Sequence, residues 1–561
     1  MLIDPRFRRH LHWAIALTLL VNAASLFTPI INEGDSVLYA ALSQHIALTG
    51  NWTDLVLDQT DWLDKPHFPF WVTALFFKLG GVSTFNYILP GFLFHLLACY
   101  YTYRLARMLY GRDVALLALL VVVSVYHLMY TSSAIKAEAF LTGSITAACY
   151  YWLRFDAHAK AKYLLLAALF SGISVMTKGV FTLITIASGL ACVWVLRGQW
   201  RNFWNPKWLL ALAISLVCTA PEVVALYLQF DAHPDKVVFG STGVSGIRFF
   251  LWDSQFGRFF NSGPIKNQEG TPLYFVHVFL WAFLPWVAAF VAAVVAGLRS
   301  FAGQSPTERS HFVFLCGSFF VTFVLFSATA FQLDYYTVIL FPFAAILCAR
   351  YLAQWLQQGE GAGFFVAQAG VTIAILALVL GLAAYVANPQ LLGMLALLGA
   401  AVLVYALLQR QPLRRIVVLV YPVAAVNLLY LFLEAMTLSA YLRYSVPYNV
   451  DRLLADDRST PIYVVGLDPT IAWEIGIYRS APSVRLPDVE RLPRQGAPYL
   501  LLLRESERAA LPDNLGPANV VAQGDWVNHK TGILPRQLRL AKGEEPLERF
   551  TLLRVAPQAA P

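Results

Sequence analysis

Charge is scarce in this sequence. Of its 561 residues 13% are charged and 58% are hydrophobic, whereas a soluble protein carries about 25% charge. So little polar surface cannot keep this much apolar chain in water, which excludes a soluble globular enzyme, a disordered chain and a fibrous repeat. Cysteine is sparse too. Cys99, Cys149, Cys192, Cys218, Cys316 and Cys348 all lie inside apolar runs, and none has CxxC spacing. Neither a disulfide frame nor a zinc site is indicated. There is no internal repeat and no low-complexity tract. The class left standing is an α-helical polytopic membrane protein.

Apolar runs are what the sequence has in abundance. About thirteen are long enough to cross a bilayer, which takes about 17–25 residues. They start near residues 12, 86, 113, 133, 162, 180, 207, 273, 311, 335, 363, 389 and 415. The N-terminus is basic and then apolar with no small-residue cleavage site, so it reads as a retained first span. The formal charge of +8 comes from cations clustered between runs. Arg6, Arg8 and Arg9; Arg104, Arg107 and Arg112; Arg154, Lys160 and Lys162; Arg197, Arg201 and Lys207; Arg299 and Arg309; and Arg410, Arg414 and Arg415 occupy alternate loops. That alternation assigns them to membrane topology rather than to nucleic-acid binding, and places the N-terminus in the cytoplasm. An odd number of spans then sends the C-terminus to the opposite, outer face of the membrane.

The transmembrane domain is expected over residues 1–440. It carries two long outer loops, 32–85 and 230–272, and loops of such length are usually functional. From residue 441 to 561 the composition is that of a small soluble α/β domain. TPIYVVGLD (460–468) and PYLLLLRE (498–505) read as buried strands and PTIAWEIGIYRS between them as a helix. The first outer loop opens with INEGDSVLYAALSQHIALTGNW, placing Glu33, Asp35 and Tyr39 at the outer end of the first span. It continues with DWLDKPHFPFWVTALFFKLGG, where Asp64, Lys65 and His67 surround Pro66. On residue type alone these are equally acids at a membrane boundary and an aromatic hairpin with a snorkelling lysine. His67 reads as an interfacial hydrogen-bonding residue.

Taken together, an acid after the first span, a tyrosine, GxW, an acid-Lys-Pro step and an aromatic run resemble the GT-C class of membrane glycosyltransferases. The branch most resembled is family 39, the protein O-mannosyltransferases and the aminoarabinose transferases of lipid A modification. The family's Asp-Glu-x-x-Tyr is similar to Asp35-Ser36-Val37-Leu38-Tyr39, and its Glu-Lys-Pro-Pro to Asp64-Lys65-Pro66-His67. SSAIKAEAFLTG (132–143) resembles the segment of the second acid, with Glu138, and TKG (177–179) resembles an Ala-Lys-Gly step. WDSQFGRFF (252–260) keeps the Arg258 and Phe259 of an Arg-Phe motif. FQLDYYTVILFP (331–342) resembles Lys-Leu-Pro-x-Tyr, with Gln332 for Lys, Asp334 for Pro, and Tyr336 kept. The resemblance covers residues 10–350. Gln268 stands where many relatives have a metal-binding histidine, and Asp35 lacks the usual Glu neighbour.

The resemblance implies a transferase that takes sugar from an undecaprenyl-phosphate-type lipid and gives it to an envelope lipid, glycan or protein on the periplasmic face. Membrane lipids surround it and nucleic acid has no part. An anionic phosphate leaving group needs fixed cations and donors. Lys65, Lys178, Arg258 and Tyr336 are the expected donor-phosphate residues. Asp35 is the expected general base for an acceptor hydroxyl, with Glu138 orienting the acceptor or sharing a divalent metal ion with Asp35. For an acceptor that is already an ionised phosphate, Asp35 acts by positioning instead. Glu33, Tyr39, Asp64, Gln268 and Glu269 complete the expected substrate loops, and a single displacement inverts the anomeric centre. The alternative is a transporter or flippase of lipid-linked sugar. Transporters usually place ionisable residues at the midplane of repeated halves, whereas these acids gather in outer loops.

Overall fold

A computed structural model describes residues 3–31, 34–266, 270–358, 361–386, 393, 413–479, 483–527 and 534–556. Among these, six helices are each long and apolar enough to cross a membrane, or eight if two bent pairs each count as one span. The expected thirteen spans are therefore not all continuous apolar helices. The run near 113 forms only the twelve-residue helix Arg112–Val123, followed by the short helix Tyr126–Thr131. The run near 273 bends by 115° between Ala282 and Val287, where Pro285 interrupts the apolar sequence. The run near 389 falls largely outside the described residues.

Local sequence sets the helix ends. Asp4 caps Pro5–Ala24 by accepting from the Arg6 amide at 3.1 Å, with Pro5 at the first helical position. Ser305 caps Pro306–Ser327, accepting from the Glu308 amide at 3.2 Å, with Glu308 three residues on as in a capping box. Lys178 ends Ala161–Lys178, and Thr182–Leu196 restarts after Gly179, Val180 and Phe181.

Helices pack through small residues and paired polar groups, the means available where lipid supplies no hydrophobic drive. A Cβ on Gly189 would lie 2.1 Å from the Ser318 hydroxyl and 2.6 Å from the Phe314 carbonyl, so glycine allows the helices to touch. Thr322 donates to Thr185 at 3.0 Å and Ser174 to Ser144 at 3.0 Å. Asn427 donates to Thr18 at 2.9 Å, tying Tyr421–Tyr444 to the first helix.

The described members of the cation clusters share one end of the bundle. Arg8 pairs with Asp113 at 2.6 Å, Arg197 donates to Ser310 at 2.9 Å, and Arg350 pairs with Glu308 at 2.8 Å. Lys207 lies 4.5 Å from the Phe155 ring. At the opposite end lie the start of Ala137–His158, the end of Ala161–Lys178 and the segment before Phe341–Gln358. The first long loop is ordered there as the helix Gly34–Thr49, the hairpin β1 (Val56–Leu57) and β2 (Thr60–Asp61), and the helix Phe68–Gly80.

The C-terminal region forms a five-stranded sheet from β3 (Ile462–Val465), β4 (Ser483–Leu486), β5 (Tyr499–Arg504), β6 (Ala518–Trp526) and β7 (Glu548–Val555). Their order is β4-β3-β5-β7-β6, with β3 parallel to β4 and β5, and β7 antiparallel to β5 and β6. Both strands read from the sequence and the helix between them, Pro469–Arg479, are present. That helix docks on the first loop. Tyr478 Oη accepts from the Ile31 amide at 3.0 Å, Gln44 donates to the Gly476 carbonyl at 2.9 Å, and Trp473 donates to Asp58 at 2.9 Å. Ile477 joins the core beneath Gly34–Thr49.

Removing the Tyr478 hydroxyl deletes its bond from the Ile31 amide and its own bond to Glu474. Tyr478→Phe should destabilise the docked helix by about 0.5–1.5 kcal/mol, read as a lowered thermal midpoint of the purified protein and faster proteolysis between residues 50 and 60.

Candidate active site

Asp35 sits in the first turn of Gly34–Thr49, at the end of the bundle where the docked C-terminal helix holds that turn in place. Glu138 occupies the first turn of Ala137–His158 and is 1% exposed. Lys178 reaches it from the end of the neighbouring antiparallel helix, and the two form a salt bridge. Burying this carboxylate and this ammonium is tolerable because each neutralises the other.

A second ionic group comes from the two long loops. Asp64 takes Lys65 on one carboxylate oxygen at 2.5 Å and Arg258 on the other, while Arg258 also donates to the Asp64 carbonyl at 3.1 Å. Burial alone would raise the Asp64 carboxyl, but Lys65 and Arg258 outweigh it and hold the group below the usual carboxylate range. Burial, and then the nearby Arg258 charge, lower Lys65 below an ordinary lysine against the opposing pull of Asp64.

These groups surround a polar chamber of about 60 Å³ lined by Asp35, Tyr39, Asp64, Lys65, Lys136, Glu138, Lys178, Tyr335 and Tyr336. Lys178 stands 3.6 Å from the centre of the Tyr336 ring and Lys136 3.8 Å from that of Tyr335, both within cation–π range. Beside the chamber runs a largely apolar groove of about 80 Å³, walled by Phe181, Thr185, Leu325, Phe326 and Ile339. Lys178 and Tyr336 line both spaces, and Arg258 lines the groove while gripping the chamber's Asp64. The junction at Lys178 and Tyr336 joins an apolar surface to a polar, charged one.

Gly179 makes the junction possible. Its φ is +117°, and a Cβ there would lie 2.1 Å from Nε2 of Gln255, which donates to the Lys178 carbonyl at 3.3 Å. Only glycine combines that backbone with so close a neighbour.

Of the residues expected from sequence, Asp35, Tyr39, Asp64, Lys65, Glu138, Lys178 and Tyr336 meet in one chamber, with Arg258 at its edge. Glu33, Gln268 and Glu269 lie outside the described residues. Lys136 and Tyr335 also line the chamber without having been expected there. Two further residues hold the loop that carries Lys65. The Glu222 carboxylate accepts from the His67 amide at 2.9 Å and meets His67 Nδ1 at 3.0 Å, both side chains being fully buried. Gln229 clasps Leu55, accepting from its amide at 3.0 Å and donating to its carbonyl at 2.9 Å. An ionisable Glu222 within an apolar run was the available signal.

A divalent cation between Asp35 and Glu138 would enter a chamber also lined by Lys65, Lys136 and Lys178, with Glu138 already engaged by Lys178. Among the described residues no group of three or more His, Cys, Asp and Glu is arranged to hold a metal. The donor set suits an anion better than a cation.

Comparison with known proteins places this geometry. The structure superposes on the crystal structure of ArnT from Cupriavidus metallidurans bound to undecaprenyl phosphate with a TM-score of 0.71 at 18% identity, covering 98% of each chain. The fold is that of the GT-C membrane glycosyltransferases. Residues 64–224 match the dolichyl-phosphate-mannose-protein mannosyltransferase family. An undecaprenyl phosphate-alpha-4-amino-4-deoxy-L-arabinose arabinosyl transferase 2 of Proteus mirabilis (strain HI4320) is 24% identical over 60% of this chain, and its Pseudomonas fluorescens (strain Pf0-1) namesake 25% over 49%. The chain spans 59% of the length of the Proteus relative and 49% of that from Pseudomonas.

The lowered Lys65 gives a pH signature. Its charge is present below its own pKa and lost as pH rises through it, at a value under the ordinary 10.5. Affinity for a simple phosphate-bearing amphiphile such as dodecyl phosphate, titrated from pH 7 to 10, should fall on the alkaline side, and Lys65→Arg, charged throughout, should shift that fall upward. Superimposable alkaline limbs would remove Lys65 from phosphate binding.

Proposed function

We propose that this protein is an inner-membrane glycosyltransferase that moves a sugar from a polyprenyl-phosphate donor to an envelope lipid, glycan or protein. The observation that carries this reading is the junction at Lys178 and Tyr336, where an apolar groove meets a chamber lined by cations and carboxylates. The prenyl chain lies in the groove, and Lys65, Lys178 and Arg258 neutralise the phosphate as it departs. Tyr336 adds a hydroxyl donor. By the positive-inside rule the cation-rich end faces the cytoplasm, which puts the chamber and the C-terminal sheet on the periplasmic side.

In the reaction an acceptor hydroxyl attacks the anomeric carbon. The bond from that carbon to the phosphate oxygen breaks, its electron pair leaves with undecaprenyl phosphate, and the hydroxyl proton passes to Asp35. One displacement inverts the anomeric centre. Glu138, held by Lys178, keeps that ammonium aimed at the phosphate. No step is assigned to a divalent ion.

The test uses purified protein in nanodiscs, radiolabelled undecaprenyl-phosphate sugars and an envelope extract as acceptor. The similar arabinosyl transferases make 4-amino-4-deoxy-L-arabinose the first sugar to try. Labelled product and free undecaprenyl phosphate should appear together. Asp35→Asn should slow transfer about a hundred- to ten-thousand-fold while undecaprenyl phosphate still binds. Equal rates would remove Asp35 as the base. Activity should survive exhaustive chelation; its loss, restored by a divalent ion, would return Asp35 and Glu138 to a metal site. Movement of intact lipid-linked sugar across vesicles, with no cleavage, would favour a flippase.

A further inference from the structure

The cation-rich end of the bundle, opposite the reaction chamber, has a cavity of its own, of about 410 Å³. It lies where the end of Val287–Ser300 meets the start of Pro306–Ser327 and one face of Phe341–Gln358, with Tyr110 from the last turn of Thr84–Tyr110 in the wall. Leu347, Arg350, Tyr351 and Gln354 share that face because helical neighbours recur every three or four residues. Glycine shapes the inner wall. A Cβ on Gly297 would lie 2.2 Å from the Phe312 ring, so its absence gives Phe312 its place there.

The lining favours a negative charge. Its one carboxylate among the described residues, Glu308, is taken by Arg350 at 2.8 Å, which leaves Arg299 as the lining cation without an acid partner among those residues. Two more cations adjoin the lining. Arg309, next to Glu308, donates to the Ala302 carbonyl, Arg197 donates to Ser310 at 2.9 Å, and neither forms an ion pair among the described residues. The Tyr110 and Tyr351 hydroxyls and the Gln354 amide also line the space, and among the described residues none of the three makes a hydrogen bond. One unpaired guanidinium with three further groups able to donate complements a phosphate ester carrying one negative charge.

Membrane position identifies the source of that phosphate. By the positive-inside rule this end faces the cytoplasm, and basic pockets between spanning helices on that side suit anionic lipid heads. Val291, Val295 and Leu298, four and three residues apart on the helix that carries Arg299, are exposed where a spanning helix meets lipid. We propose that the cavity binds an anionic phospholipid of the cytoplasmic leaflet. Its phosphate pairs with Arg299 and accepts from Tyr110, Tyr351 and Gln354, and an acyl chain runs along Val291, Val295 and Leu298. Seated there, the lipid ties three membrane helices together at the end remote from the chamber. It binds whether or not the chamber transfers sugar.

The test is native mass spectrometry of the full chain in detergent, titrated with dioleoyl phosphatidylglycerol or dioleoyl phosphatidylcholine, with and without inorganic phosphate. The first phosphatidylglycerol should bind at least about tenfold more tightly than phosphatidylcholine, a difference of about 1.4 kcal/mol, and excess inorganic phosphate should not displace it. Arg299→Gln changes an exposed side chain and leaves the pair of Glu308 with Arg350 intact, and it should erase the preference. Ser300→Trp, at the exposed rim, fills the mouth and should weaken phosphatidylglycerol binding at least about tenfold. Phosphatidylglycerol should also raise the thermal midpoint of the wild type more than that of either variant. Equal affinity for the two lipids in the wild type overturns the inference, as does a preference that survives Arg299→Gln, binding unchanged by Ser300→Trp, or equal thermal shifts. Displacement by inorganic phosphate overturns the lipid assignment, since it would make the cavity a site for the free ion.

Discussion

The site depends on two carboxylates that make a cluster of cations affordable where water is scarce. Asp64 bridges Lys65 and Arg258, and buried Glu138 holds Lys178. Without those partners, cations crowded at the end of an apolar bundle would repel one another or lose their protons. With them, the positive groups are held in place around the chamber. Removing either acid would leave buried charge uncompensated, a larger loss than a single hydrogen bond.

The rest of the architecture serves to bring those partners together. Asp64 and Arg258 come from different loops, so their contact requires both loops to be fixed. Glu222 fixes the first loop through His67, Gln229 fixes it through Leu55, and the C-terminal helix fixes the turn of Asp35 through Tyr478 and Gln44. The C-terminal helix Pro469–Arg479 thereby braces the first loop of the chamber. Gly179 performs a similar service at the other carboxylate, letting the chain turn beneath Lys178 while Gln255 closes in.

Much of this was legible in the sequence, and the failures have physical causes. Alternating Arg and Lys clusters located one end of the bundle, because charge placement along a membrane chain records topology directly. The α/β tail was readable from its strand and helix periods. Asp35, Lys65, Glu138, Lys178 and Tyr336 were legible as members of ordered motifs, but their pairing was not. Glu138 is buried against Lys178, forty residues on, and neither motif names that partner. Glu222 and Gln229 were missed because a polar residue in an apolar run does not name its partner. Thirteen spans are not confirmed by the six to eight apolar helices among the described residues, and hydropathy does not register breaks such as those at Ser124 and Pro285.

A single structure determination addresses the central claim directly: cryo-electron microscopy of the protein in nanodiscs with undecaprenyl phosphate. The account predicts the phosphate at the junction, within hydrogen-bonding distance of Lys178 and of Lys65 or Arg258, with the prenyl chain along Phe181 and Ile339. Phosphate density only elsewhere, with the junction closed by the Asp64 and Glu138 pairs, would contradict it.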